Sequence, residues 1–253
     1  MNPESLLSRI RVVLCRPSHP GNIGAVARAM KTMGLSSLYL VQPKQFPDPE
    51  ADTRATGAVD LLEKANISTS LAEALAGCVF AVALSARQRD LGPEIGQPRE
   101  TVARLLAEAE NGDVALVFGN ETVGLSNEEI LHCQAAVTIP TNPDFSSLNL
   151  GSAVQVLCYE CRMAAFSERP PIAGQGVTPF VSPTASLDEV EGLFGHLESV
   201  MTDTGFFNPA QPGRLLPKLR RMFGRIRLEK DEINILRGIL ASTEVKTGHG
   251  RKD

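Results

Sequence analysis

One segment near the amino terminus combines a tight turn, a helix start and two cations. Residues 16–31 read RPSHPGNIGAVARAMK, in which prolines and glycines favour a turn and the following small residues favour a helix. The first turn of a helix leaves backbone N–H groups unpaired, and such groups bind anions. Arg28 and Lys31 are three residues apart, so both can project from one flank of that helix. The pattern predicts a phosphate-binding turn, although an ordinary turn with two solvated cations also fits.

A second segment follows the apolar run 113–118 and reads GNETVGLS over residues 119–126. Gly119 stands directly after the predicted strand, where the absence of a Cβ lets the backbone approach a ligand. Glu121 can orient an arginine or a ligand hydroxyl, or it can be a surface turn residue. Ser126 precedes Asn-Glu-Glu and therefore predicts a helix N-cap with acidic residues in the first turn.

A third segment, IPTNPDFSSLNLGSAVQV, covers residues 139–156. Ser146 or Ser147 could cap a helix whose first turns hold Asn149, Gly151 and Ser152, which are poor helix formers. Such a breach of local propensity occurs where a ligand or close packing requires small and polar groups. Ligand binding and close helix packing through Gly151 both remain open.

Cysteine and histidine supply weaker candidates. Cys158 and Cys161 have C-x-x-C spacing but fall inside a predicted helix without a second pair, so packing is favoured over a metal or redox site. No metal is predicted. The histidines are isolated in the sequence and none is assigned to catalysis: His19, His132, His196 and His249.

The elements that must position these segments alternate between strand and helix. Short continuous apolar runs predict strands covered on both faces, at 10–15, 37–41, 78–84, 113–118 and 136–140, with a weaker one near 66–69. Helical spacing is found between them, at 23–33, 55–65, 71–76, 99–109, 127–133 and 148–166. This order predicts an α/β fold with an open, mostly parallel sheet, whose ligands bind beyond the carboxyl ends of the strands.

The alternation stops at residue 166, which predicts a domain of residues 1–166. Residues 167–186 carry four prolines and two glycines and predict an exposed connection. Residues 187–253 predict a small helical unit with helices at 187–202, 215–227 and 230–241. The expected buried stripe of the second helix consists of Leu215, Leu219, Met222, Phe223 and Ile226.

Charge is distributed unevenly along the chain. Residues 212–253 hold eleven Lys and Arg against five Asp and Glu, whereas residues 1–211 hold fourteen against twenty-four. Clustered cations attract phosphates over about a Debye length, roughly 10 Å. A basic helical unit on an acidic body therefore predicts a polyanionic partner, with a solvated helix face as the alternative.

Composition excludes several classes of protein. With 43% hydrophobic and 21% charged residues among 253, the chain has the balance of a globular protein and not that of a disordered or fibrous one. No apolar run approaches the roughly 18 residues of a membrane span, and the first residues lack the features of a secretory signal. The five cysteines are scattered, which suits reduced thiols. We therefore expect a cytoplasmic protein with no membrane association.

Together, the segments NIGAVARAMKTMGL, LVFGNETVGLS and IPTNPDFSSLNLGSAVQVLCYE resemble, in order and spacing, the three signature motifs of the SpoU/TrmH family of RNA 2′-O-ribose methyltransferases. The resemblance covers about residues 8–166, and the basic extension matches a branch that methylates C or U at position 32 of the tRNA anticodon loop. It implies a SPOUT fold, a parallel sheet with a C-terminal trefoil knot, a homodimer, and S-adenosyl-L-methionine as cofactor. One position departs from the pattern, because many relatives carry Arg where this chain has Asn120.

The resemblance also implies which residues form the site. The catalytic set consists of Arg28, Asn22 and Ser147. The cofactor-binding set consists of Leu84, Ser85, Ala86, Gly119, Glu121, Ile139, Ser146, Ser147, Leu148 and Asn149. We also expect a tRNA-binding set, which includes two arginines of the basic helical unit: Arg28, Lys31, Arg87, Arg220 and Arg221. Only 5% of residues are aromatic and none is Trp, so we expect RNA recognition through phosphates and shape.

Methyl transfer to a ribose requires the 2′-hydroxyl to be positioned and its proton removed. An arginine with a pKa above about 12 is a reluctant base, so we expect Arg28 to act mainly as a clamp on phosphate and developing oxyanion, with a neighbouring phosphate assisting deprotonation. Alternatives remain from other classes: a catalytically silent RNA-binding relative, a methyltransferase for another tRNA or rRNA site, and a Rossmann-type nucleotide enzyme that binds no RNA.

Overall fold

A parallel sheet organises the first two-thirds of the chain. The computed structural model describes residues 1–85, 92–167 and 182–248. Its strands are β1 (Ile10–Cys15), β2 (Ser37–Val41), β3 (Asn66–Ser68), β4 (Cys78–Leu84), β5 (Ile95–Gly96), β6 (Asp113–Phe118) and β7 (Ala135–Val137). They form one sheet in the order β3-β2-β1-β6-β4-β7-β5, and every pairing is parallel. The predicted α/β class is confirmed, and β1, β2, β4 and β6 have the predicted bounds.

Two strands differ from the expectation. The strand predicted at 136–140 occupies Ala135–Val137, and Pro140 has no N–H with which to extend a ladder. Strand β5 has two residues, too few to produce an apolar run, so its pattern gave no signal.

Helices connect the strands and complete the carboxyl third of the described chain. They are α1 (Pro3–Ser8), α2 (Pro20–Met33), α3 (Pro49–Ala55), α4 (Val59–Glu63), α5 (Leu71–Leu75), α6 (Pro98–Glu108), α7 (Asn127–Leu131), α8 (Leu150–Phe166), α9 (Leu187–Asp203), α10 (Leu215–Phe223) and α11 (Lys230–Gly248). Helix α2 begins three residues before the predicted start, because proline suits the first helical position.

The single helix predicted over 55–65 is wrong. Ala55 ends α3, and Thr56 takes a left-handed φ of 53°, so the chain passes through one 3₁₀ turn before α4 begins. The start of α3 was missed as well, although Asp48 caps it by accepting a hydrogen bond from the Glu50 N–H.

Both faces of the sheet are covered, as the continuous apolar strands predicted. On one face, Leu14, Leu116 and Phe118 pack in a cluster with residues of α1, α2, α3, α4, α6 and α8. On the other face, Val13 and Val117 pack with residues of α5 and α7 and with Leu187 of α9. Residues in successive positions along β1 and β6 thus enter opposite cores.

The carboxyl-terminal helices have a core of their own, formed by Ala185, Leu193, Leu228 and Ile233. Residues 182–186 join it, because the Ala185 N–H donates to the Leu228 carbonyl and the Lys230 N–H to the Pro183 carbonyl. The remainder of the predicted connection, 168–181, lies outside the described residues. The buried stripe predicted for α10 is wrong, because no residue of this helix is buried. Leu215, Leu219 and Phe223 are half-buried, and Met222 and Ile226 are 50% and 53% exposed.

Polar contacts attach this helical unit to the sheet domain. The Gly77 N–H donates to Asp188 Oδ1 at 2.7 Å. Glu191 of α9 contacts His132 Nδ1 at 3.2 Å, at the end of α7, and Glu108 of α6 pairs with Arg227. The helical unit is therefore fastened to the sheet domain at several separate points.

Candidate active site

The Glu121 carboxylate lies where the first two segments meet. Its Oε2 accepts hydrogen bonds from the N–H and the Oγ of Ser18 at 2.9 and 2.7 Å. Its Oε1 accepts from Asn22 Nδ2 at 2.9 Å and from the His19 N–H at 3.3 Å. Partial burial alone would raise the pKa of Glu121, but the hydrogen bonds from Asn22 and Ser18 outweigh it and lower the pKa to about 2. The carboxylate is therefore ionised at neutral pH, and it fixes the first segment against the second.

Asn149 adds the third segment to the same network. Its Nδ2 donates to Asn22 Oδ1 at 2.9 Å, while its Oδ1 accepts from the Gly151 N–H and caps α8. Asn149 therefore provides the cap expected of Ser146 or Ser147, and that expectation is wrong. The chain Asn149, Asn22, Glu121 links three loops that are far apart in sequence.

Close packing also explains Gly151. A Cβ on this residue would lie 2.9 Å from the Ala25 Cβ of α2, so the glycine lets α8 approach α2. Close helix packing is therefore confirmed for Gly151, and Asn149 holds Asn22. Ligand binding by the residues at the start of α8 stays a prediction.

A tight turn separates Gly119 from α7. A Cβ on Gly119 would lie 2.2 Å from the backbone of Gly124, which only glycine permits. Asn120 Oδ1 accepts from the N–H groups of Thr122 and Val123, and Asn120 Nδ2 donates to the Arg16 carbonyl. Asn120 is thus engaged within the chain, a role that leaves no local sequence pattern.

Ser126 and Glu129 form a capping box at the start of α7, as the sequence predicted for Ser126. The Glu129 N–H donates to Ser126 Oγ at 3.1 Å, and the Ser126 N–H donates to Glu129 Oε2 at 2.6 Å. This cap fixes the far end of the turn that carries Glu121.

The other expected cofactor residues differ in their burial. Ser85 is buried at the end of β4, and its N–H donates to the Val137 carbonyl. Leu84 and Ile139 are partly buried against the first core, whereas Ser146, Ser147 and Leu148 are exposed. Ala86 and Arg87 lie outside the described residues.

Arg28 and Lys31 differ in their surroundings. Arg28 is exposed on α2 and lines an open crevice of about 990 Å³ with α3 residues that include Glu50 and Arg54. Lys31 Nζ donates to the Gly57 carbonyl at 2.8 Å and to Asp60 Oδ1 at 2.6 Å. Arg28 lies six residues after Asn22, about 9 Å along the helix and on a different side of it.

Arg220 and Arg221 lie on α10, in the helical unit. The Arg220 guanidinium makes a bidentate contact with Glu191 and stacks over the Phe194 ring at 4.6 Å. Burial alone would raise the pKa of Glu191, but hydrogen bonds from His132 and Arg220 lower it to about 2. An RNA contact by Arg220 would therefore compete with this ion pair, whereas Arg221 is exposed.

The cysteines of α8 are structural. Cys158 and Cys161 are both buried, and burial raises the pKa of the Cys158 thiol to about 12.

No group of three metal-binding side chains occurs in the described ranges 1–85, 92–167 and 182–248. Within those ranges no helix is long and apolar enough to cross a membrane.

Residues 9–159 match the model of the SpoU rRNA Methylase family. The chain belongs to this family. Residues 188–252 match a second model, described as the C-terminal domain of the tRNA methyltransferase TrmJ.

Relatives of the SpoU family match nearly the whole chain. The tRNA (cytidine/uridine-2′-O-)-methyltransferase TrmJ of Escherichia coli O6:K15:H31 is 50% identical over 239 residues, 94% of this chain and 96% of that protein. TrmJ of Yersinia enterocolitica is 49% identical over 94% of this chain and 93% of its own. The crystal structure of TrmJ from Z. mobilis has a TM-score of 0.79 at 32% identity, and the match covers 92% of this chain and 98% of that one.

Proposed function

We propose that this chain is an S-adenosyl-L-methionine-dependent tRNA 2′-O-methyltransferase that modifies the ribose of C or U at position 32 of the anticodon loop. The observation that carries the proposal is the convergence of three SpoU-family loops on Glu121, Asn22 and Asn149. Support for the substrate comes from the TrmJ relatives, whose similarity extends over both the sheet domain and the helical unit.

The described residues suit the cofactor. An adenosyl group needs aliphatic contact and backbone donors. Leu148 is 41% exposed, and Ile139 is partly buried. Within the described part of the chain, the N–H groups of Ser147 and Leu148 have no partner. We assign Leu84, Ser85, Gly119, Ile139 and Ser146 to the surrounding frame. When bound, S-adenosylmethionine supplies a sulfonium methyl group for in-line transfer.

The residues of this chain then divide the remaining work. Glu121 holds Asn22, and Asn149 holds it from the other side, so the Asn22 side chain is fixed before substrate arrives. Ser147 is exposed and can donate its hydroxyl to the target nucleotide. Arg28 provides a planar guanidinium for the phosphate and for the oxygen that loses its proton.

Arg28 acts best from a second copy of the chain. It faces a different side of α2 from Asn22, and α2 packs on α8. The outer face of α8 exposes an apolar stripe of Tyr159, Met163 and Phe166, which are 46%, 46% and 53% exposed. Such a stripe fits a homodimer contact that brings the Arg28 of one copy to the site of the other.

The remaining parts of the proposal concern organisation and place in the cell. Residues 1–166 form the methyltransferase domain, and residues 167–186 form the connection. Residues 187–253 form the basic unit, whose Arg220 and Arg221 bind tRNA together with Lys31 and Arg87 of the first domain. The C-terminal trefoil knot stays a prediction. The enzyme works in the cytoplasm without a metal, so a chelator should leave its activity unchanged.

Methyl transfer tests the function directly. Purified protein is incubated with bulk tRNA and S-adenosylmethionine labelled in the methyl group, and ribose methylation is mapped in tRNA from a strain lacking the gene. We expect incorporation that depends on the protein and loss of the mark at position 32 in the strain. Absence of incorporation would favour a silent RNA-binding relative, and loss of a mark elsewhere would assign another site.

Light scattering tests the dimer. A mass of about twice 27.1 kDa is expected for the wild type, and Met163→Asp should shift the protein to the monomer and abolish methyl transfer. A monomeric wild type that remains active would contradict the assignment of Arg28 to the opposing site.

A further inference from the structure

Arg16 has an unusual backbone conformation at the entrance to the site. It directly follows β1, and its φ of 51° lies in the left-handed region. A residue with a long side chain rarely adopts this conformation unless its surroundings hold it there. Glycine would adopt it without strain, so the presence of arginine requires another explanation.

Three sets of contacts hold Arg16 in this conformation. Its N–H donates to the Val41 carbonyl at 2.8 Å, and its carbonyl accepts from Asn120 Nδ2 at 2.9 Å. Its guanidinium makes a fork on Glu129, with Nε to Oε1 at 3.1 Å and Nη2 to Oε2 at 2.7 Å. The Glu129 side chain is 15% exposed and the Arg16 side chain 40% exposed, so water reaches the guanidinium while the carboxylate is mostly shielded; the bidentate geometry fixes both groups.

The partners of Arg16 stand at the two ends of the segment that carries Glu121. Asn120 immediately precedes Glu121, and it also fixes the turn by accepting from the Thr122 N–H. Glu129 lies at the start of α7, where it completes the capping box with Ser126. Arg16 therefore ties the end of β1 to both ends of residues 120–129.

The same turn delivers Ser18 to Glu121. Ser18 is two residues after Arg16 and donates to Glu121 through both its N–H and its Oγ. Any shift of the Arg16 turn would move Ser18 and Asn120 together relative to the carboxylate. Asn22, which depends on Glu121, would lose its orientation as a result.

We propose that Arg16 is a positioning residue for methyl transfer, which acts through the Glu129 fork and the Asn120 contact to fix Glu121 and Asn22. The inference rests on the proposed function. It adds a residue that belongs to none of the catalytic, cofactor-binding and tRNA-binding sets named above. Because Arg16 does not touch the reacting atoms, its loss should lower turnover more than it weakens tRNA binding.

The test compares Arg16→Gly and Glu129→Gln with the wild type. Glycine keeps the left-handed backbone and removes the fork, whereas glutamine keeps the helix cap and removes the charge. We expect kcat to fall at least fivefold in each, with KM for tRNA changed less than twofold. The double variant should fall no further than the worse single variant, and Arg16→Lys should recover part of the turnover.

Arg11→Ala is the matched control. Arg11 lies near the amino end of β1, the strand that Arg16 follows, and pairs there with Asp113 at 2.9 Å. If Arg11→Ala lowers the melting temperature as much as Arg16→Gly does, it should still keep kcat within twofold of the wild type. If Arg16→Gly and Glu129→Gln keep kcat within twofold, or if Arg11→Ala loses as much, the inference is overturned. A wild type without methyl transfer would instead overturn the proposed function.

Discussion

The side-chain amide of Asn149 donates to Oδ1 of Asn22, although 127 positions separate the two residues. The other end of the Asn22 amide donates to Glu121, so one side chain is held from both sides. An amide held in this way cannot rotate without breaking a hydrogen bond, which makes it suitable for orienting a substrate.

Removing the charge of Glu121 should reduce activity sharply. Glutamine at this position keeps the shape, but its NH₂ group cannot accept from the Asn22 and Ser18 donors. We expect Glu121→Gln to lower kcat/KM at least tenfold, measured by transfer of labelled methyl to bulk tRNA. Glu128→Gln, at an exposed carboxylate on α7, is the control and should stay near the wild type.

The contribution of Arg28 to turnover should depend on its planar guanidinium group and not only on its charge. We expect Arg28→Lys to lower turnover at saturating tRNA at least tenfold, because an ammonium group cannot reproduce a bidentate fork. Arg9→Lys provides the comparison, since Arg9 donates to the Ala109 carbonyl away from the site. Near-normal turnover in Arg28→Lys would exclude the proposed clamp.

Acid should destabilise the protein partly through Glu121 and Glu191. Both carboxylates have a pKa of about 2 in the folded protein, below the usual 4.5. Their stabilising contribution is present above about pH 4.5 and is lost as the pH falls towards 2. Unfolding in urea across this range should show a shallower pH dependence for Glu191→Gln than for the wild type; an unchanged slope would contradict the assignment.

Neighbouring arginines of α10 should respond differently to neutralisation. If Arg221 contacts a tRNA phosphate, Arg221→Gln flattens the plot of log affinity against log salt by about 0.7 to 0.9. Arg220→Gln leaves Glu191 without its guanidinium partner and should lower the melting temperature relative to the wild type. The two readouts are filter binding at several salt concentrations and thermal unfolding.

Gly24 should tolerate no side chain. A Cβ there would lie 2.1 Å from the Ala51 carbonyl oxygen of α3, so Gly24→Ala should destabilise by about 1 to 3 kcal/mol. Gly195→Ala is the control, because nothing lies within 4 Å of the added Cβ in α9 and alanine is the better helix former. Chemical denaturation measures both, and equal stability of the two variants would contradict the steric argument.

The sheet was more predictable than the contacts that complete the site. Strands such as β1 and β6 are buried on both faces, so their apolar runs are continuous and have clear ends. The break at Thr56 depends on a backbone angle, and the apolar spacing of the sequence does not reveal such an angle. The sequence left open whether Glu121 orients an arginine or a ligand hydroxyl or is a surface turn residue. In the structure it holds Asn22 and Ser18, because long-range hydrogen bonds depend on how loops meet in space and leave no local pattern.

The attachment of the basic helices to the sheet domain has a consequence for how a substrate is selected. Three contacts hold the two units at a fixed separation: Asp188 with the Gly77 N–H, Glu191 with His132, and Arg227 with Glu108. A nucleic acid bound at α10 would place at Asn22 only the nucleotide that lies at a fixed distance from the bound segment. The target would then be selected by its distance from that segment.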